Sequence, residues 1–181
     1  MALEHALLVS LTEREGSGYE LARRFDRSIG YFWAATHQQI YRVLRRMEES
    51  GWVTHTEVAQ DGRPDKKVYR VSKAGRVELT RWLAEPIEPT TLRDELGVKL
   101  RGASLGDTAA VLREVERHRA EHATRLEVYR RIARRDFPKP AKLNGRELHQ
   151  YLVLRGGIRA EKSFVDWCDE VVQALRSEGV R

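Results

Sequence analysis

At 181 residues the chain is long enough to bury a real core, as one medium domain or two small ones. Its net charge of +6 and pI near 9.7 favour a polyanionic partner without locating the surface that would meet it. A single cysteine, Cys168, excludes an internal disulfide and four-cysteine zinc modules. Apolar runs such as Ala6 to Val9 are too short to cross a bilayer and no basic-then-apolar leader opens the chain, so the expectation is a soluble cytoplasmic protein.

Leu3, Leu7 and Leu11 share one side of a first short helix, which Glu15-Gly16-Ser17-Gly18 breaks. A second helix, from Tyr19 to Ser28, is expected to turn Tyr19, Ala22 and Phe25 inward with Leu21 beside them. After the bulky turn Gly30-Tyr31-Phe32-Trp33 comes a third, Thr36 to Ser50. Its Ile40, Val43, Leu44 and Met47 fall at i, i+3, i+4 and i+7 and form one apolar stripe. Thr36 with Gln39 three residues later matches a capping box, and Gly51 supplies a left-handed stop. The opposite face holds Gln38, Gln39, Tyr41, Arg42 and Arg45, with Arg46 at the flank and no acid until Glu48. Gln offers paired donor and acceptor groups to a base edge, and Arg offers a fork to guanine or phosphate. An ordinary solvated amphipathic helix is the bland alternative for this segment alone.

Beyond Gly51 the pattern shifts to β-branched and aromatic runs, Trp52 to Val58 and Lys67 to Val71, joined by a loop holding Asp61-Gly62 and Pro64. A hairpin placed after three short helices is the layout of a winged helix. Arg63, Lys66, Lys67, Arg70 and Lys73 lie in and beside this wing against one acid, Asp65, so the wing can rest on phosphate while the third helix enters the major groove. Ser72 caps a fourth helix containing Val77, Leu79, Trp82 and Leu83, and Glu85-Pro86-Ile87-Glu88-Pro89 marks a boundary.

The rest reads as helix. Leu92, Leu96 and Leu100 mark a short segment, and a long helix starts near Asp107 with Val111, Val115, His118, His122, Leu126, Tyr129 and Ala133 inward. Phe137-Pro138-Lys139-Pro140 ends it. In a last helix, Asn144 to Ser177, Tyr151, Ile158, Val165 and Val172 recur every seven residues, followed by Leu154, Glu161, Cys168 and Leu175. Glu161 is one polar break in this seam, and Gly156-Gly157 permits a close approach or a kink. Two such helices need covering, and self-association is the economical answer; Tyr151, Ile158, Val165, Cys168, Val172 and Leu175 are the expected dimer contacts. The expected fold is mainly α: a winged helix-turn-helix domain with a two-stranded β wing over 1–84, a linker with a short helix over 85–106, and a helical dimerisation domain over 107–181.

Gly18-Tyr19-Glu20-Leu21, Gly30 with Phe32-Trp33, Ile40-Tyr41 with Leu44 and Met47-Glu48, Gly51, Gly62-Arg63-Pro64, Lys67 with Tyr69, and Gly75 with Trp82-Leu83 together resemble the PadR-type transcriptional regulators. The match runs in order through residues 3–84, and the tail, with Gly157-Ile158 and Asp166-Trp167, is similar to the dimerisation domain of the longer members. Gln38 and Arg42 depart from a pattern that often has Gly and Pro at those places. The resemblance implies a homodimeric regulator, usually a repressor, that binds a palindromic operator in double-stranded DNA and is released by a small aromatic or drug-like effector. The expected DNA contacts are Thr36, His37, Gln38, Gln39, Tyr41, Arg42, Arg45 and Arg46, with Arg63, Lys66 and Lys67 of the wing; Trp33 and Trp167 are the expected effector residues.

Other chemistry is weaker. No Gly-rich phosphate loop or nucleophile elbow occurs, so no catalytic activity and no cofactor are expected. His118 and His122 have the i, i+4 spacing of metal ligands but are read as helix-seam residues, because no carboxylate or thiol pattern in the sequence completes a site. Trp52 and Trp82 are read as core. The alternatives left open are a winged-helix protein-interaction module and a metal-responsive regulator.

Overall fold

A computed structural model of the chain describes residues 2–27, 35–59, 66–89 and 94–178. These fall into two compact units, Met1–Pro89 and Thr90–Arg181. The first holds α1 (Ala2–Glu13), β1 (Gly16–Ser17), α2 (Gly18–Arg27), α3 (His37–Glu49), β2 (Val53–Val58), β3 (Lys66–Val71) and α4 (Lys73–Leu83). The second holds α5 (Glu95–Arg101), α6 (Thr108–Asp136) and α7 (Gly145–Glu178), with single 3-10 turns between them.

The core of the first unit is aliphatic. Leu7, Leu8 and Leu11 of α1 meet Leu21, Ala22 and Phe25 of α2, the Ile40, Val43, Leu44 and Met47 stripe of α3, and Val53, Val71 and Leu79. Trp52 and Trp82 pack against this cluster, and His5, itself buried, stacks on the Trp82 ring at 4.4 Å and hydrogen-bonds Glu78 at 2.9 Å. Tyr19, expected inward, is 56% exposed. Phe25 and Leu21 set the buried side of α2, and at 100° per residue Tyr19 lies about 120° from Phe25 and 160° from Leu21, off that side.

The sheet has one strand more than a wing hairpin requires. β2 and β3 are antiparallel, with Val53 opposite Val71 and Val58 opposite Lys66, and β1 adds to the other edge of β3, Gly16 opposite Tyr69 and Ser17 opposite Val68. Gly16-Ser17 reads as a helix breaker in the sequence; two residues carry no strand periodicity, and only the ladder groups offered by β3 turn them into a strand. The turn joining β2 to β3, including Arg63, lies outside the described residues.

In the second unit α6 and α7 are 29 and 34 residues long. Asp107 caps α6, its side chain accepting from Ala110 N–H at 3.1 Å. Leu96 of α5 is buried with Val115, Cys168 and Val171, so the short helix given to a linker on sequence is packed into this unit. The Tyr129 ring approaches the α7 backbone at Gly157, where an added Cβ would stand 3.0 Å from Cε2, while nothing crowds Gly156. Glu161, the polar break in the seam, is buried and held by His122 and, at 3.1 Å, by Arg125.

Cys168, expected at a dimer interface, is fully buried within its own unit, in the cluster with Leu96, Val115 and Val171. Val172 and Leu175 are half-buried against the same cluster, Tyr151 leans on Phe137 at 5.5 Å, and Ile158 and Val165 are half-buried. A heptad stripe does not say which helix covers it. Here α6 of the same chain takes part of it.

Candidate nucleic-acid interface

The local chemistry of α3 fixes which of its side chains are free. Gln39 N–H donates to Thr36 Oγ1 at 3.2 Å and Thr36 N–H donates to Gln39 Oε1 at 2.8 Å, a closed capping box. Thr36 and Gln39 are thereby committed to starting the helix. Gly51, at φ +69°, ends it. With Ile40, Val43, Leu44 and Met47 buried, His37, Gln38, Tyr41, Arg42 and Arg45 are exposed. Gln38 and Arg42 have no side-chain partner among the described residues. Arg45 is paired with Glu49 at 3.1 Å, but both are largely in water, where such a pair contributes little and releases easily.

Two expected contacts are engaged elsewhere. The Arg46 guanidinium is paired with Glu4 of α1, a buried carboxylate, and so ties α3 to α1. Lys66 Nζ stands 2.7 Å from Glu20 Oε1 on α2. Neither partner is visible in a linear reading, being 42 and 46 residues away in sequence. Lys67, on the next position of β3, is exposed and has no partner among the described residues.

Glu20 is also half of a second capping box. Its carboxylate accepts from Ser17 N–H at 2.8 Å and Ser17 Oγ at 3.0 Å, and Glu20 N–H returns to Ser17 Oγ at 3.2 Å. The signal Ser17-x-x-Glu20 stands in the sequence. The Lys66 ammonium first, and the Ser17 N–H second, hold the Glu20 carboxyl down to about 2. A depressed carboxylate stabilises the folded state at pH values above its unfolded pKa of roughly 4.3, and that contribution is lost as pH falls toward the folded value. A carbon NMR titration is therefore expected to show Glu20 ionised at pH 3 and to move its midpoint upward in Lys66→Met. An unchanged midpoint would remove Lys66 as the cause.

The surface beside α3 is extended by α2. The Tyr41 ring lies so close on Gly18 that a Cβ there would meet Cε1 at 2.4 Å, which is why glycine opens α2. Next to it stand Tyr19 and Arg23, both exposed, with Arg23 Nη1 3.5 Å from the Tyr19 hydroxyl and its guanidinium 5.8 Å from the ring centroid. Sequence reading missed both, because it turned Tyr19 into the core.

The expected effector residues give less. Trp33 lies outside the described residues. Trp167 is half-buried and edge-on to Phe164 at 5.3 Å, and Phe164 stacks on His122 at 3.9 Å. A depression of about 350 Å³ opens among Asp94, Leu96, Lys99, Glu114, Arg117 and His118, and Trp167 is not part of its lining. Its charges are partly spent on each other: Arg117 donates to Glu114 at 2.7 Å, and that bond chiefly holds Glu114 down to about 2. His118 and His122 face each other at 6.4 Å, and among the described residues no three His, Cys, Asp or Glu side chains converge as metal ligands. No described helix is long and apolar enough to cross a membrane.

Comparison with known proteins matches this geometry. Residues 7–81 match the transcriptional regulator PadR-like family, and residues 92–176 match the virulence activator alpha C-terminal family. A probable transcriptional regulator of Mycobacterium tuberculosis is 59% identical over 98% of this chain and all of its own length. The Vibrio cholerae virulence activator AphA superposes with a TM-score of 0.82 at 31% identity, over 97% of this chain and 99% of that one. Bacillus subtilis PadR, a negative transcriptional regulator, has been solved with operator DNA; that structure superposes at 0.84 and 26% identity over 97% and 99% of the two chains. It has also been solved with p-coumaric acid, at 0.78 and 25% over the same shares. These relatives are regulators of transcription and not enzymes. With a winged helix-turn-helix head, a helical second unit and a 59% identical full-length relative, the chain belongs to the PadR-like family of transcriptional regulators.

Proposed function

We propose that the protein is a homodimeric repressor that acts in the cytoplasm, binds a palindromic operator and is released by a small aromatic effector. The observation that carries the DNA reading is the pairing of an outward Gln38, Tyr41 and Arg42 on α3 with an exposed Lys67 on the wing strand, neither Arg42 nor Lys67 being held in an ion pair among the described residues. Arg and Gln on a helix suit base edges in the major groove, and a wing lysine suits phosphate. The operator-bound and p-coumaric-acid-bound states of the Bacillus subtilis relative support an operator and a phenolic effector for this chain. Two heads held about one DNA turn apart would read a palindrome, and an effector acts only by favouring one head spacing over another.

The test begins with the DNA flanking the protein's own coding region. A specific mobility shift at an inverted repeat, a dimer by light scattering, and release by a phenolic acid that also quenches tryptophan fluorescence are the expected results. The quenching should vanish in Trp33→Phe or Trp167→Phe. A monomer at micromolar concentration that ignores duplex DNA in low salt overturns the proposal. The likeness to a virulence activator favours a second reading, activation, and transcript levels of the neighbouring gene in a deletion strain separate the two. They rise if the protein represses and fall if it activates.

A further inference from the structure

Three consecutive residues at the start of α2 face three different things. Gly18 is covered by the Tyr41 ring of α3, and Glu20 is held by Lys66 at the root of the wing. Tyr19, between them, is 56% exposed. The surface separating the reading face of α3 from the wing strand therefore has the Tyr19 ring on it, with Arg23 one turn further along the same side of α2. The pair thus stands exposed beside residues that contact both α3 and the wing strand.

We infer that Tyr19 and Arg23 form a backbone-phosphate clamp, a contact separate from those of α3 and the wing. The chemistry matches a phosphate oxygen: a phenolic hydroxyl as neutral donor, and a planar cation whose position is biased by the ring it lies over. Arg23 has no carboxylate partner among the described residues, whereas Arg24 beside it donates to the Ser10 and Arg14 carbonyls, Arg46 is paired with Glu4, and Arg81 with Glu78 and Glu85. A contact of this kind sets the height of the head on the duplex and carries no base preference. The inference rests on the DNA-binding reading above.

Fluorescence anisotropy on a random-sequence duplex, across a salt series, tests it with the full-length protein. Arg23→Gln is expected to weaken binding roughly tenfold and to lower the slope of log affinity against log salt by about one per bound protomer. Arg23→Lys should restore the slope. Tyr19→Phe should weaken binding a few-fold at unchanged slope, since it removes a neutral donor. Circular dichroism melts of all three variants should match the wild type, both side chains being exposed. If the wild type binds and Arg23→Gln keeps its affinity and slope, the clamp is wrong while the DNA reading stands. If the wild type binds no duplex, both fall.

Discussion

Replacing Gly75 with alanine is expected to melt the N-terminal unit roughly 10 °C or more below the wild type. Gly75 sits in the first turn of α4, and a Cβ there would stand 2.1 Å from the Trp52 carbonyl oxygen and 3.0 Å from Val71 Cγ1. The carbonyl cannot simply step aside. It accepts the Ser72 N–H at 3.0 Å, and the Ser72 hydroxyl receives the Gly75 N–H at 3.0 Å and donates to the Gly51 carbonyl at 2.6 Å. Shifting Trp52 also disturbs its packing on the core under α1. Overpacking of this sort costs about 1 to 3 kcal/mol, and the broken cap adds to it. Gly51→Ala is the control: nothing lies within 4 Å of its Cβ, and only its φ of +69° is strained, so a loss near 1 kcal/mol is expected. Calorimetry should place Gly75→Ala well below Gly51→Ala. Equal losses would mean that the collision is relieved by a movement that the surrounding hydrogen bonds permit.

The second large effect falls on DNA. Arg42→Ala is expected to reduce operator affinity about 10- to 100-fold per half-site and to relax the preference at one base pair, because a guanidinium in contact with a base edge contributes about 1 to 3 kcal/mol of discrimination. Lys67→Ala should weaken all duplexes alike and flatten the salt dependence. Arg46→Ala should behave differently from both, lowering stability by removing the Arg46 guanidinium from the buried Glu4 carboxylate while base preference is kept. Selection from a randomised operator library with each variant reads these outcomes directly. Preference lost with Arg46 and kept without Arg42 would reverse the assignment of faces on α3.

Arg42 and Arg46 are four residues apart and chemically identical, and the sequence ranks them only by their place around the helix. What separates them is Glu4, 42 residues before Arg46, which the tertiary fold brings to its guanidinium. Lys66 and Lys67 are separated in the same way by Glu20. The legible part of the site was its helix, because local rules govern it: the Thr36–Gln39 box, the apolar stripe and the Gly51 stop are settled within a few residues. Tyr19 was misplaced because a run of ten residues fits more than one apolar stripe, and the choice between stripes was made by what α1 and α3 present to α2.

Sequence by itself determined the order of helices and strands, the start and stop of α3, the long α6 and α7, and the likeness to PadR-type regulators, since caps, periodicity and motif spacing are short-range quantities. Tertiary structure alone decided that Gly16-Ser17 joins the sheet, that Arg46 and Lys66 brace the head, that Cys168 is buried under α5 and α6, and that Tyr19 and Arg23 stand exposed on α2. Each of these depends on partners tens of residues away. An amphipathic stripe records that a face is covered, not what covers it, and a charge records a potential, not whether an opposite charge has been folded against it.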